Sequence, residues 1–101
     1  MILDFHPAAI AEVHDASYWY EDRSTRAGDG FLREIRTATE TILKNPTRYR
    51  TVDGLVRVFS LKKYPFRLYY AFDELAATVC IYAVMHEKRR SDYWRRRLPS
   101  R

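Results

Sequence analysis

Two patterns of apolar and polar positions divide the chain near its middle. In the first half, apolar residues recur at spacings of three and four, which is the period of a helix with one buried face. In the second half, Val, Ile, Phe and Tyr fill three short runs separated by polar or proline-containing breaks, as is typical of strands joined by turns. The pattern therefore predicts helices followed by an antiparallel sheet.

The first half predicts two helices. Helix one covers residues 7–22, and its apolar stripe comprises Ala9, Val13, Ala16 and Tyr20. Helix two starts after one of two N-cap candidates, Ser24 or Asp29, and ends before Asn45-Pro46, because a residue that precedes proline leaves the α region. If Ser24 is the cap, Gly28 and Gly30 fall in the first turns, where they allow the two helices to approach closely.

The second half predicts a three-stranded antiparallel meander over residues 55–62, 66–73 and 77–86. Residues 2–5 are short, apolar and β-prone, and we expect them to add an edge strand. The two helices form a hairpin whose apolar face needs a cover, and the sheet supplies it. The fold class is therefore α+β in the order β-α-α-β-β-β.

Strict alternation separates the two faces of this sheet. It predicts that one face packs on the helices and comprises Phe66, Leu68, Tyr70, Phe72, Val79, Ile81, Ala83 and Met85. It predicts that the other face stays open and comprises Arg67, Tyr69, Ala71, Cys80, Tyr82, Val84 and His86. Arg67 and His86 are thereby expected close together on one bare surface.

The size of the chain and its composition predict one cytoplasmic domain over residues 1–101, with a basic tail at 87–101. No apolar run is long enough to cross a bilayer, and the start lacks the features of a signal peptide. The lone cysteine, Cys80, excludes an internal disulfide. The histidines lack a second ligand at metal spacing, and no phosphate-binding loop is visible, so we expect neither metal nor cofactor.

The charge distribution indicates an anionic partner. From residue 86 onwards the chain has seven basic and two acidic residues, which accounts for the whole net charge of +5. The strand region 55–70 adds four cations and no acid. A polyanion or an acidic protein suits such a surface, although a tail that is merely solvated has the same composition.

The candidate site residues follow from this distribution. The catalytic candidates are Arg67, His86, Arg90 and Tyr93, because histidine can transfer protons and arginine can stabilise a charged phosphorane. The candidates for binding nucleic acid or another target are Lys62, Lys63, Lys88, Arg89, Trp94 and Arg95. A simpler role for Arg67 is a salt bridge to Glu87, Glu74 or the tail.

Several segments, in this order, resemble the RelE/ParE toxin superfamily of bacterial type II toxin–antitoxin modules. They are YWYEDRS at 18–24, FLREI at 31–35, ILKNPTRY at 42–49, VDG at 52–54, YPFRLYY at 64–70 and AVMH at 83–86, followed by Arg89, Arg90, Tyr93 and Trp94. The resemblance implies a helical hairpin on an antiparallel sheet. It also implies a cognate antitoxin that binds and neutralises the chain as a hetero-oligomer.

The superfamily contains two mechanisms. RelE-like members cut messenger RNA on the ribosome, whereas ParE-like members poison DNA gyrase. Arg67 matches the nuclease arginine of the RelE-like branch, and His86 falls near a catalytic histidine of some nuclease members. The two strand lysines of RelE, however, correspond to Ser60 and Val58, and residues 19–24 and 84–86 are more similar to the ParE branch.

Three functions remain open from the sequence. The first is a growth-inhibiting toxin, of the plasmid-stabilising kind, that binds and poisons a replication target such as gyrase. The second is a ribosome-dependent ribonuclease toxin that uses Arg67, His86 and an aromatic ring from Tyr93 or Trp94. The third is a basic module that binds nucleic acid without toxicity. All three lack a membrane partner.

Overall fold

The computed structural model describes residues 1–89 and 92–99. The elements, in chain order, are β1 (Ile2–Phe5), α1 (Pro7–Arg23), α2 (Thr25–Lys44), β2 (Thr51–Asp53), β3 (Val56–Ser60), β4 (Phe66–Asp73), β5 (Thr78–His86) and a short 3₁₀ helix (Tyr93–Arg97). Two helices followed by a mixed sheet of five strands form an α+β fold, as the sequence predicts.

The helical hairpin turns at Ser24. Its extended backbone (φ −168°) ends α1, and its hydroxyl oxygen accepts the Ala27 N–H at 3.2 Å, which caps α2. Ser24 rather than Asp29 is therefore the cap. A Cβ on Gly28 would lie 2.8 Å from Cβ of Glu21 on α1, so the close approach of the two helices that was predicted at Gly28 is confirmed.

The strands lie in the order β1-β5-β4-β3-β2. β1 pairs parallel with β5 and is the expected edge strand, while the other pairs are antiparallel. The predicted strand at 55–62 is shorter in the structure, and a hairpin with Gly54 at φ +52° precedes it. This hairpin adds β2 at the far edge, which the sequence pattern did not predict.

The main core lies between the helices and the sheet. Phe31, Ile42, Leu68, Tyr70 and Ile81 are fully buried there. The ring of Phe31 lies 5.2–5.4 Å from those of Tyr20, Tyr64 and Phe66. This aromatic cluster fixes the start of α2 against the loop that joins β3 to β4.

A β-bulge in β5 overturns part of the predicted alternation. Tyr69 pairs with Ala83 but Tyr70 pairs with Ile81, so Tyr82 is an extra residue in the ladder. Residues after the bulge change face, and Val84 rather than Ala83 joins the core beneath the helices. Ala83 and Met85 lie on the opposite face of the sheet, so their assignment to the helix side was wrong.

The face of the sheet away from the helices, hereafter the second face, is covered rather than bare. The 3₁₀ helix folds back over it and inserts Trp94, which is 1% exposed. A second apolar cluster forms here from Val56, Val58, Tyr69, Ala83, Met85 and Trp94. The expectation of an open cationic face was wrong, because the C-terminal segment provides the apolar cover.

We expect Gly30→Ala to destabilise the protein, and Tyr64→Phe to suppress that effect. A Cβ on Gly30 would lie 2.5 Å from Oη of Tyr64 but 3.7 Å from Cζ, so only the hydroxyl obstructs it. That hydroxyl donates to the Ala27 carbonyl at 2.9 Å. Urea unfolding of the two single variants and the double variant should give a coupling of about 1–2 kcal/mol. Additive effects would contradict the close contact.

We also expect the free energy of unfolding to fall as pH rises from about 10 to 12. Burial raises the pKa of Tyr70 to about 12, although Arg57 partly opposes this, and burial with Cys80 raises the pKa of Tyr82 to about 12. In this range the unfolded chain loses phenolic protons that the folded chain keeps, so unfolding is favoured. Urea unfolding at several pH values should show that the free energy of unfolding falls less steeply with pH in Tyr70→Phe than in the unmodified protein. An equally steep fall would contradict the raised pKa of Tyr70.

Candidate functional site

Arg67 lies in the central strand β4, opposite Ser60 of β3 and Met85 of β5. It shares the second face with Tyr69, two residues further along, and its side chain is half-buried. Among residues 1–89 and 92–99 it has no acidic partner within salt-bridge distance. The salt bridge to Glu87, Glu74 or the tail is therefore absent from this part of the chain, and no carboxylate there neutralises the guanidinium.

His86 lies on the opposite side of the sheet from Arg67. Its ring packs edge-on against Phe66 with the centroids 5.3 Å apart, and Phe66 contacts the core beneath the helices. The bulge at Tyr82 is the reason, because it shifts His86 to the helix side. The predicted adjacency of Arg67 and His86 on one face was wrong.

A cleft of about 570 Å³ between α1 and the ends of β4 and β5 contains His86. Trp19 and Phe66 supply apolar walls, and Asp15 and Arg89 supply charge. The Nδ1 atom of His86 accepts the Lys88 N–H at 3.1 Å. This bond assigns the proton of the neutral ring to Nε2, so His86 presents a donor rather than a free lone pair to the cleft.

The C-terminal candidates separate into buried and exposed residues. The Trp94 ring stacks on Tyr69 at 5.9 Å, which leaves it no surface for a target. Tyr93 is 44% exposed with the Arg89 guanidinium over its ring at 4.8 Å. Arg95 forms an ion pair with Asp53 and lies over the Trp94 ring. Lys88 is exposed, and Arg90 lies outside the described residues.

Lys62 and Lys63 follow β3 and line a second depression of about 1040 Å³ between α2 and β3. Both backbone N–H groups donate to Oε1 of Glu34 at 2.8 Å, so an α2 carboxylate fixes this corner. Arg26, Arg33 and Arg48 also line the groove, whose floor includes Phe59 and Leu61. The groove therefore combines a cationic rim with an apolar floor, which suits an acidic, partly apolar protein segment.

Glu12 and Arg97 form a contact that the sequence analysis missed. Both Glu12 oxygens accept from the Arg97 guanidinium, at 2.7 and 3.0 Å. Arg97 lies in the basic tail, whose composition is also that of a solvated segment, and Glu12 is not among the residues of the predicted apolar stripe of helix one. Its spacing of three from Ala9 and four from Ala16, both buried, was the available signal that Glu12 lies at the edge of the buried face.

The residues that the structure describes contain no group of three or more His, Cys, Asp or Glu side chains that could hold a metal ion. Within the same residues, no helix combines the length and apolar character needed to span a membrane. The described surface thus offers cationic and aromatic contacts, with the catalytic candidates Arg67 and His86 on opposite sides of the sheet.

A helical hairpin packed on one face of a mixed sheet is the fold expected of RelE/ParE-like toxins. The family model described as "ParE toxin of type II toxin-antitoxin system, parDE" matches residues 3–91. The chain therefore belongs to the ParE toxin family of type II toxin–antitoxin systems, which confirms the resemblance and implies an antitoxin partner. No curated protein matches the chain.

We expect His86 to be the Nε2–H tautomer when neutral. The Lys88 N–H occupies its Nδ1, as the Ala8 N–H occupies Nδ1 of His6 at 3.1 Å. Long-range ¹H–¹⁵N spectra should therefore show the same tautomer for the neutral rings of both residues. An Nδ1–H tautomer at His86 would contradict the geometry of the cleft.

Proposed function

We propose that this ParE-family toxin inhibits growth by binding a protein of DNA replication, with DNA gyrase as the leading target, rather than by cutting RNA. The observation that carries the proposal is the separation of Arg67 and His86 onto opposite faces of the sheet. General acid–base cleavage of RNA needs the proton-transfer group and the cation that stabilises the phosphorane around one phosphate. A binding toxin has no such requirement.

Three further observations support binding over cleavage. Nδ1 of His86 is already used by the Lys88 N–H. Of the two aromatic candidates for a nuclease site, Trp94 is buried against Tyr69, so that only Tyr93 of the pair is exposed. The positions of the two RelE strand lysines carry Ser60 and Val58, and Val58 is itself buried in the second cluster. These residues leave the nuclease constellation incomplete.

We propose that the cognate antitoxin binds the groove between α2 and β3. Five of the residues around this groove are cationic: Arg26, Arg33, Arg48, Lys62 and Lys63. Glu34 is the acidic lining residue, and its carboxylate is engaged by two backbone N–H groups. An acidic antitoxin segment with a few apolar side chains would meet complementary charge at the rim and an apolar floor beneath.

The test compares two activities of the purified toxin, released from its antitoxin complex. One assay follows gyrase-dependent supercoiling and cleavage of plasmid DNA, and the other follows cleavage of messenger RNA on programmed ribosomes. We expect the toxin to impair gyrase and leave the messenger intact. His86→Gln should retain gyrase inhibition within about threefold, since loss of a general acid or base typically costs 10²–10⁴-fold.

Arg67→Gln is the matched variant on the other face of the sheet. We expect it to weaken target binding without creating or abolishing cleavage, because the guanidinium has no acidic partner among the described residues and is a contact for an anionic group. Messenger cleavage that both His86→Gln and Arg67→Gln abolish, with gyrase unaffected, would overturn the proposal in favour of a ribonuclease.

A further inference from the structure

The outer edge of β5 is covered by side chains over its second half. β1 pairs with β5 only as far as Ile81, and the His6 N–H donates to the Ile81 carbonyl as the last contact of that ladder. Beyond this point the Val84 N–H and the Tyr82 carbonyl face the edge where a further strand residue would pair. Both groups are nevertheless bonded, by two side chains distant in sequence.

Glu12 of α1 and Arg97 of the 3₁₀ helix provide those bonds. Glu12 Oε1 accepts the Val84 N–H at 3.0 Å, and Arg97 Nη1 donates to the Tyr82 carbonyl at 3.0 Å. The two side chains also form a bidentate ion pair and are only 15% and 13% exposed. The pair thus replaces a missing strand and ties the C-terminal segment to α1.

Trp94 is a further attachment of this segment. It precedes Arg97 by three residues, so the two side chains lie on the same side of a 3₁₀ helix. Trp94 fills the second apolar cluster, while Tyr93, Arg95 and Arg96 remain exposed. The contacts of the segment with the rest of the protein include Trp94 and Leu98 in the second cluster and two ion pairs. The Arg95–Asp53 pair is about half exposed and therefore weak, whereas the Arg97–Glu12 pair is largely shielded from solvent.

One feature of the Trp94 attachment opposes docking. Nε1 of the buried indole has no hydrogen-bond partner among the described residues. A buried N–H without an acceptor loses the bond that water would provide, and release of the segment restores it. The free energy gained by burying the indole is thus partly offset by the unsatisfied N–H. The contribution of the Glu12–Arg97 ion pair therefore decides how fully the segment is docked.

We propose that residues 92–99 form a strap that docks on the second face and releases from it as a unit, with Glu12–Arg97 as its clasp. Glu12 acts here as a positioning residue for the C-terminal segment. Release uncovers the apolar surface of Val58, Tyr69 and Met85, together with the Tyr82 carbonyl on the β5 edge, which loses its Arg97 donor. The Val84 N–H keeps its acceptor, because Glu12 belongs to α1. The strap thereby controls access to one face of the toxin without any change in the helix–sheet core.

The test measures how accessible Trp94 is to a collisional quencher. Trp19→Phe makes Trp94 the sole indole, because these are the two tryptophans of the chain. In this background we expect weak quenching by acrylamide. Arg97→Gln should shift the docking equilibrium towards release by about tenfold, the effect of losing a charge-assisted pair, and quenching should rise accordingly. Arg96→Gln, which alters an exposed neighbour, should leave quenching unchanged.

Glu12→Gln should raise the quenching of Trp94 as much as Arg97→Gln does. In the double variant Trp94 should be quenched no more than in either single variant, because both changes break the same ion pair. Glu21→Gln, at an exposed position of α1, is its control. Circular dichroism should show intact helices and sheet in every variant. If Arg97→Gln unfolds, the milder change Arg97→Lys, which keeps the charge, should give an intermediate increase in quenching. Equal quenching in the Arg97→Gln and Arg96→Gln proteins would overturn the strap.

Discussion

The extra residue at Tyr82 in β5 determines how the rest of this molecule is arranged. Before it, Val79 and Ile81 pack beneath the helices; after it, Val84 takes their place and Ala83 and Met85 turn to the second face. A β-bulge changes the face of every later residue in its strand. It therefore provides apolar side chains for a second cluster and places His86 in the cleft beside α1.

The two sides of the sheet consequently serve different purposes. The helix side contains the main core and, at its end, the cleft with His86. The second side contains Arg67 and is closed by Trp94. A chain with both sides covered presents its cations at the margins, in the α2–β3 groove and along the C-terminal segment. This distribution of cations is consistent with membership of the ParE family.

Local chemistry predicted the elements well and their long-range arrangement less well. Ser24, Gly28 and Asn45-Pro46 determine the helix boundaries through short-range capping and packing, and the expected helices follow from them. The bulge has no such local signal, since Tyr82 is neither glycine nor proline. Its position in β5 depends on the burial of both faces of the sheet, which is a long-range property. The docking of Trp94 and Arg97 was also missed, because their partners Tyr69 and Glu12 are remote in sequence and the surrounding arginines are typical of a solvated tail.

The register of β5 is the claim on which this account depends, and nuclear Overhauser contacts from methyl-labelled methionine measure it directly in the full chain. With the bulge in place, the Met85 methyl group should show contacts to the ring protons of Trp94 and Tyr69, and the His86 ring should show contacts to Phe66. Contacts from Met85 to Phe31 or Ile42 beneath the helices, with His86 beside Tyr69, would show a regular ladder and would return Arg67 and His86 to one face.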